Sequence, residues 1–200
     1  NRILGTKDKL GRFSVGKDDV KLMPRWGARA LSEPETKINK TSSNPGLASL
    51  TLRKKLTNRL KKRGIVDETV LNAITVVERH QFVDSALASM AYEDLALPIG
   101  FKQTISQPFV VARTISIVRE LLSKNRSENE LAQLNILEVG CGSGYQAAVL
   151  SECFGKVTSV ERIHSLYEKA LKNCEEYISK QKLKLHFYDG KSGFNDEAPY

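Results

Sequence analysis

The chain has 200 residues, of which 40% are hydrophobic and 27% charged, and it carries a formal net charge of +8. That balance fits a globular protein and excludes a disordered or fibrous one. No apolar run approaches the ~20 residues that span a bilayer, and residues 1–30, polar and basic throughout, do not resemble a secretory signal. The three cysteines, Cys141, Cys153 and Cys174, lack metal-type spacing; they read as reduced thiols in a cytoplasmic protein with no metal site.

Charge is unevenly placed. Residues 1–64 hold 17 Lys and Arg against 5 Asp and Glu, and the remainder holds 14 against 18. The front segment is a potential polyanion contact, with a solvated leader the simpler reading. Residues 1–49 show no sustained periodicity and carry Pro24, Pro34, Pro45 and several glycines, which describes a basic extension or linker.

From Leu50 the pattern becomes helical. Leu52, Leu56 and Leu60 share one face, and Gly64 stands where a helix would end. Asp67 is placed to cap a second helix bearing Val70, Leu71, Ile74 and Val77. The segments 96–100 and 103–108 contain Pro98 and Pro108 and read as loops. Pro108 suits the first turn of a helix through Val111, Ile117 and Leu121. A polar stretch, 123–130, follows.

Beyond it, residues 135–139 predict a buried strand, 145–154 a helix, 157–160 a strand, 162–179 one long helix and 183–187 a third strand. Strand–helix–strand–helix–strand implies a parallel sheet with crossover helices. The expected fold is therefore α/β, a Rossmann-like parallel-sheet domain over 50–200 with an N-terminal helical region (50–125) and a βαβαβ unit (131–200). A sheet ending on its third strand is expected to be incomplete at the C-terminal end.

Between the first strand and its helix lies Glu138-Val139-Gly140-Cys141-Gly142-Ser143-Gly144-Tyr145. Alternate glycines let the backbone turn sharply and let a ligand approach it closely, at the strand ends where open α/β sheets bind ligands. Glu161 ends the next strand, 21 residues after Gly140. A carboxylate at about this offset accepts hydrogen bonds from a ribose diol; its alternative reading is an acid at a helix start. Asp189-Gly190 follows the third strand and reads either as a contact for an adenine amine or as an ordinary turn.

The glycine loop together with Ser159-Val160-Glu161-Arg162 resembles the class I methyltransferases that use S-adenosylmethionine. Upstream, Ala91-Tyr92-Glu93-Asp94, Ala96-Leu97-Pro98-Ile99-Gly100 and Gln103-Thr104-Ile105-Ser106-Gln107-Pro108 resemble the bacterial protein-L-isoaspartate O-methyltransferase family, as do Val66-Asp67-Glu68 and Arg79-His80-Gln81-Phe82-Val83-Asp84. The resemblance covers about three-quarters of the chain. It implies a cytoplasmic protein-repair enzyme that methylates the free carboxylate of isoaspartyl residues in damaged proteins. The ester then cyclises to a succinimide that partly reopens to normal aspartate.

Carried over by motif, Ser106 is the active-site serine, acting as a positioner of the acceptor carboxylate; it is equally placed to cap the helix at Pro108. Thr104, Ile105 and Gln107 lie in the loop against cofactor and substrate. Gly140, Gly142, Ser143 and Gly144 line S-adenosylmethionine, Glu161 holds its ribose, and Asp189 with Gly190 meets its adenine. His80 is assigned no chemistry, and Cys141 departs from the small polar residue or alanine common in the family. Expected partners are isoaspartyl proteins and peptides, with no membrane, no nucleic acid and a monomeric state. The competing functions are a methyltransferase acting on RNA or a small molecule, and a non-catalytic fragment or binding module of the same fold.

Overall fold

The computed structural model describes residues 50–200; the expected basic extension over 1–49 lies outside them. Two helices open the described chain. Helix α1 (Leu50–Lys62) buries Leu56, Thr57 and Leu60, and α2 (Glu68–Val76) buries Val70, Leu71, Ala73 and Ile74. The apolar spacing of three and four residues accounts for both. Asp67 caps α2 as expected, its Oδ1 accepting from Val70 N at 3.1 Å. Gly64, in the left-handed conformation at φ 94°, follows the end of α1. Short 3₁₀ turns at Arg79–Phe82 and Ser85–Met90 then carry the chain toward the site.

The two segments expected as loops are instead the strands of a small antiparallel hairpin, β1 (Leu97–Gly100) and β2 (Gln103–Ile105). Phe101 and Lys102 turn it with φ of 51° and 58°. Those values suit the mirror-image turns of two-residue hairpins, which Asn-Gly or Asp-Gly normally announce; their absence hid the hairpin from sequence. Pro98 is tolerated because it sits on the exposed side of a two-stranded ribbon with a register irregularity beside it.

Helix α3 (Pro108–Ser123) starts on its proline as expected. The polar stretch is not featureless. Ser127 and Glu130 form a reciprocal capping box that starts a short helix, α4 (Glu128–Leu131). Strands β3 (Asn135–Val139), β4 (Lys156–Glu161) and β5 (Leu183–Phe187) form a parallel sheet in the order β3-β4-β5. The middle strand is buried from Val157 to Glu161. Helix α5 (Tyr145–Cys153) joins β3 to β4 and buries seven of its nine residues, because it packs against both α2 and the sheet.

The expected single helix over 162–179 is two, α6 (His164–Asn173) and α7 (Glu175–Ser179), broken at Cys174 (φ −100°, ψ 11°). Cys174 is fully buried, with its thiol on Gly144 O at 3.5 Å. Beyond it α7 buries no residue fully, and Tyr177 and Ile178 rest half-buried against the core.

Arg119 ties these layers together. Only 4% exposed, it donates to Asp67 Oδ2 (2.9 Å), Glu128 Oε2 (2.6 Å) and Cys153 O (3.1 Å), joining α2, α3, α4 and the end of α5. Asp67 thus caps one helix and neutralises a buried cation. Asp67→Ala should cost about 2–4 kcal/mol of stability, read as a lowered midpoint of urea unfolding; a change below ~0.5 kcal/mol would contradict this double role.

Candidate active site

All three segments expected to meet a ligand reach the same edge of the sheet. The parallel register pairs Val139 with Val160 and Glu161 with Phe187, so the glycine loop, Glu161 and Asp189 emerge side by side at the carboxyl ends of β3, β4 and β5. Between them opens a cleft of about 420 Å³, within the range of small-molecule sites. Gly140, Gly142, Glu161, Asp189 and Gly190 line it, with Thr104 arriving from β2. Val139, Val160, Ile163 and Leu166 supply apolar walls.

The glycine loop is fixed by backbone bonds. Gly140 N and Cys141 N both donate to Val160 O, at 2.9 and 3.1 Å, and Asn173 Nδ2 donates to Ser143 O at 2.9 Å. Gly144 has φ 93°, and a Cβ there would lie 2.4 Å from Cys174 Sγ, so both conformation and space demand glycine. At Gly190 a Cβ would fall 2.5 Å from Val139 Cγ1 and 2.9 Å from Val160 Cγ2. The backbone after β5 therefore lies directly on the cleft floor.

Glu161 is 6% exposed and bonded at both oxygens: Oε2 accepts from Gly142 N at 2.9 Å and Oε1 from Ile163 N at 2.8 Å. The two readings of this residue, helix-start acid and cleft carboxylate, thus hold together. Asp189 is exposed and its Oδ1 accepts from Lys191 N at 3.1 Å, a turn-forming bond.

A narrower recess continues from the cleft, lined by Ile105, Ser106, Glu138, Cys141, Ser143 and Tyr145 among others. Ser106 is exposed at its mouth. It does not cap α3, as one expectation had it. The cap position falls on Gln107, which makes no side-chain capping bond, and Phe109 N donates to Asp94 Oδ1 at 2.8 Å instead. Pro108 at the first helical position moves the first free donor one residue onward, beyond Ser106. Gln107 lines neither cavity; its Nε2 donates to Asp94 O at 2.9 Å. Gly144 likewise shapes the loop from behind and lines neither.

The sequence reading passed over Glu138. It is 5% exposed in the middle of the motif; Ser159 Oγ donates to its Oε2, and its Oε1 has no hydrogen-bond partner. Burial pushes its carboxyl up to about 7, with the Ser159 and Gln146 side chains opposing and nearby Glu161 adding to the rise. A carboxylate inside a strand expected to be buried was the available signal; of that strand, Glu138 is the one residue the structure buries. Ser143 Oγ is also buried without a partner beside it, so the recess holds polar atoms that no protein group satisfies, while the Tyr145 hydroxyl side faces the Arg79 guanidinium. Cys141 offers no thiolate, since burial first, then Glu138, raises its thiol well above the ordinary range. His80 lies apart, its Nδ1 2.8 Å from Tyr92 OH, and burial lowers its pKa.

Comparison with known proteins agrees with this geometry. A family model described as Protein-L-isoaspartate(D-aspartate) O-methyltransferase matches residues 51–200. A Bordetella avium protein-L-isoaspartate O-methyltransferase is 43% identical over 98% of this chain and 73% of its own length. Among solved structures, a protein-L-isoaspartate O-methyltransferase aligns with TM-score 0.60 and 30% identity, over 74% of this chain and 45% of that one. A beta-aspartate methyltransferase structure from Plasmodium falciparum, in complex with S-adenosyl-L-homocysteine, aligns with TM-score 0.57 and 24% identity, over 68% of this chain and 62% of that one. This chain thus spans about three-quarters of the Bordetella relative and less than half of the first solved structure.

Glu138 gives the site a pH signature. Its carboxyl titrates near 4.5 in the unfolded chain and near 7 when folded. Below the lower value both states hold the proton and the stabilisation is whole. It is lost as pH rises through the window and is gone above about 7. Glu138→Gln cannot ionise, so the native chain should lose up to about 3 kcal/mol relative to it across that window. Urea unfolding at intervals through the window checks this; parallel stability curves would contradict it.

Proposed function

The chain belongs to the protein-L-isoaspartate(D-aspartate) O-methyltransferase family, and on that footing we propose that it transfers a methyl group from S-adenosylmethionine to the free carboxylate of L-isoaspartyl residues in damaged proteins, initiating their repair. Residues 50–200 are the methyltransferase domain in this reading and residues 1–49 a basic extension. The enzyme acts as a monomer in the cytoplasm, without a nucleic-acid partner. No helix of the described residues is long and apolar enough to cross a membrane.

One observation carries the reading: the glycine loop, Glu161 and Asp189 converge on one cleft whose far end opens beside Ser106. The residues present fit the cofactor. The cleft has room for a nucleoside-sized ligand, Gly190 leaves no space for a side chain on its floor, and the recess beyond holds the unpartnered polar atoms of Glu138 and Ser143. Glu161 would take the ribose diol on its remaining lone pairs, Asp189 and Gly190 the adenine, and Gly140, Gly142 and Ser143 the chain leading to the sulfur. Thr104 and Ile105 would close the side toward the substrate. Gln107 and Gly144 would act indirectly, through the loops they stabilise.

When bound, S-adenosylmethionine supplies an electrophilic methyl group on a positively charged sulfur. The acceptor carboxylate, with an ordinary pKa of about 4, is already ionised at neutral pH, so no general base is required. Ser106 Oγ, exposed at the recess mouth, donates a hydrogen bond to one acceptor oxygen and leaves the other free to attack. The apolar walls keep water away and strengthen attraction between opposite charges in the cleft. Catalysis then rests on holding the acceptor in line.

The test compares methyl incorporation into an isoaspartyl peptide, its normal aspartyl twin and RNA. Incorporation into the isoaspartyl peptide alone is expected; labelling of RNA, or of both peptides equally, would overturn the substrate assignment. Ser106→Ala should lower turnover on that peptide by about 10- to 100-fold and leave cofactor affinity within about threefold. Glu161→Ala should weaken cofactor binding by about 2–3 kcal/mol; calorimetry giving the native affinity would remove the ribose role.

A further inference from the structure

Arg79 is fully buried, yet it forms no ion pair among the described residues. Its guanidinium donates to three backbone carbonyls instead: Nε to Ala91 O at 2.9 Å, Nη2 to Leu95 O at 3.0 Å and Nη1 to Ser106 O at 3.0 Å. Its central carbon lies 4.9 Å from the centroid of the Tyr145 ring. Burial lowers its pKa, while Tyr145 and then Asp94 favour the charged form. Asp94, the nearest carboxylate to act on it, bonds Arg63 and Phe109 N. A buried cation without a counter-ion is costly to keep, so its placement calls for a reason.

The bonded segments supply one. Ala91 and Leu95 bracket the turn that feeds β1. Ser106 sits at the recess mouth, and Tyr145 is the first residue after the glycine loop, where α5 begins. The guanidinium lies where the two halves of the site meet. It holds the Ser106 backbone by a carbonyl and rests on the ring that starts the cofactor-side helix. Among the described residues the Ser106 carbonyl accepts from no other side chain, and its own side chain does not cap α3.

We propose that Arg79 is a positioning residue for the methyl transfer, setting the height and angle of Ser106 over the glycine loop through the Ser106 carbonyl and the Tyr145 ring. This rests on the reading of Ser106 given under Proposed function. Only an arginine fork has donors at three angles in one plane; a lysine head at the same place is a single point of donation. Loss of the fork frees the Ser106 carbonyl and leaves the cleft around Glu161 untouched.

The test uses the full chain with Arg79→Lys, Ser106→Ala and the double variant. Arg79→Lys should bind S-adenosylmethionine within about threefold of the native chain by calorimetry, with KM for the isoaspartyl peptide little changed. Its kcat should fall by on the order of 10- to 100-fold, as expected when a reacting group is misplaced by about 1 Å. Because Arg79 acts through Ser106, adding Ser106→Ala to Arg79→Lys should cost less than about threefold more. A general loss of structure would not reproduce that non-additivity. Native kcat in Arg79→Lys, or fully multiplicative losses in the double variant, would overturn the proposal. If Arg79→Lys does not fold, Arg79→Gln, which removes the unpaired charge and keeps an amide donor, replaces it with the same two criteria. A native chain inactive on the isoaspartyl peptide would instead overturn the functional reading, so the two failures remain distinct.

Discussion

The site depends on one carboxylate. Glu161 ends the middle strand with both oxygens bonded to backbone N–H groups, one from Gly142 in the loop after β3 and one from Ile163 at the start of α6. A buried carboxylate is tolerable only where such bonds replace its water. In return it pins the glycine loop to the neighbouring strand and sets where the next helix begins. The cleft is the space left between these pinned parts. A residue that looked like a ligand contact is first a structural tie, and the proposed ligand role would use the lone pairs that remain.

Glu138 shows the opposite balance. It stands two strand positions from the loop's turning point and meets the side chains of Ser159 and Gln146 rather than two backbone amides. Burial therefore pushes its carboxyl up to about 7, well above the usual carboxylate range. Two carboxylates on adjacent strands thus meet different surroundings, one bonded by two N–H donors and the other left chiefly to burial. The unpartnered oxygen of Glu138, together with Ser143 Oγ, makes the recess beneath Ser106 polar without being satisfied. A polar end that protein atoms do not saturate distinguishes a ligand site from a packed core.

Much of this was legible in the sequence, and the exceptions are instructive. Strands β3, β4 and β5 stood out as short apolar-rich runs set between helical segments, though only β4 is buried over most of its length, and in β3 Glu138 alone is buried. Asp67, Gly64 and Pro108 marked helix ends through local chemistry that tertiary packing did not override. The β1–β2 hairpin was hidden because Phe101-Lys102 is not a usual source of left-handed turns. The break at Cys174 was hidden because its cause is a contact with Gly144, thirty residues away. The capping box at Ser127 and Glu130 was present in the sequence and obscured only by the polarity around it. Ser106 as a helix cap failed for a local reason: the proline one residue beyond Gln107 shifted the cap and left Asp94, from an earlier turn, to meet the first free donor. Arg79 could not have been singled out, since its three acceptors are backbone atoms that carry no sequence signal.

The most direct test of the account is a crystal structure of the full chain with S-adenosylhomocysteine. The account predicts the ligand in the cleft, both ribose hydroxyls within hydrogen-bond distance of Glu161, and the sulfur pointing into the recess below Ser106. A ligand whose sugar lies away from Glu161, or whose sulfur faces away from Ser106, would contradict it.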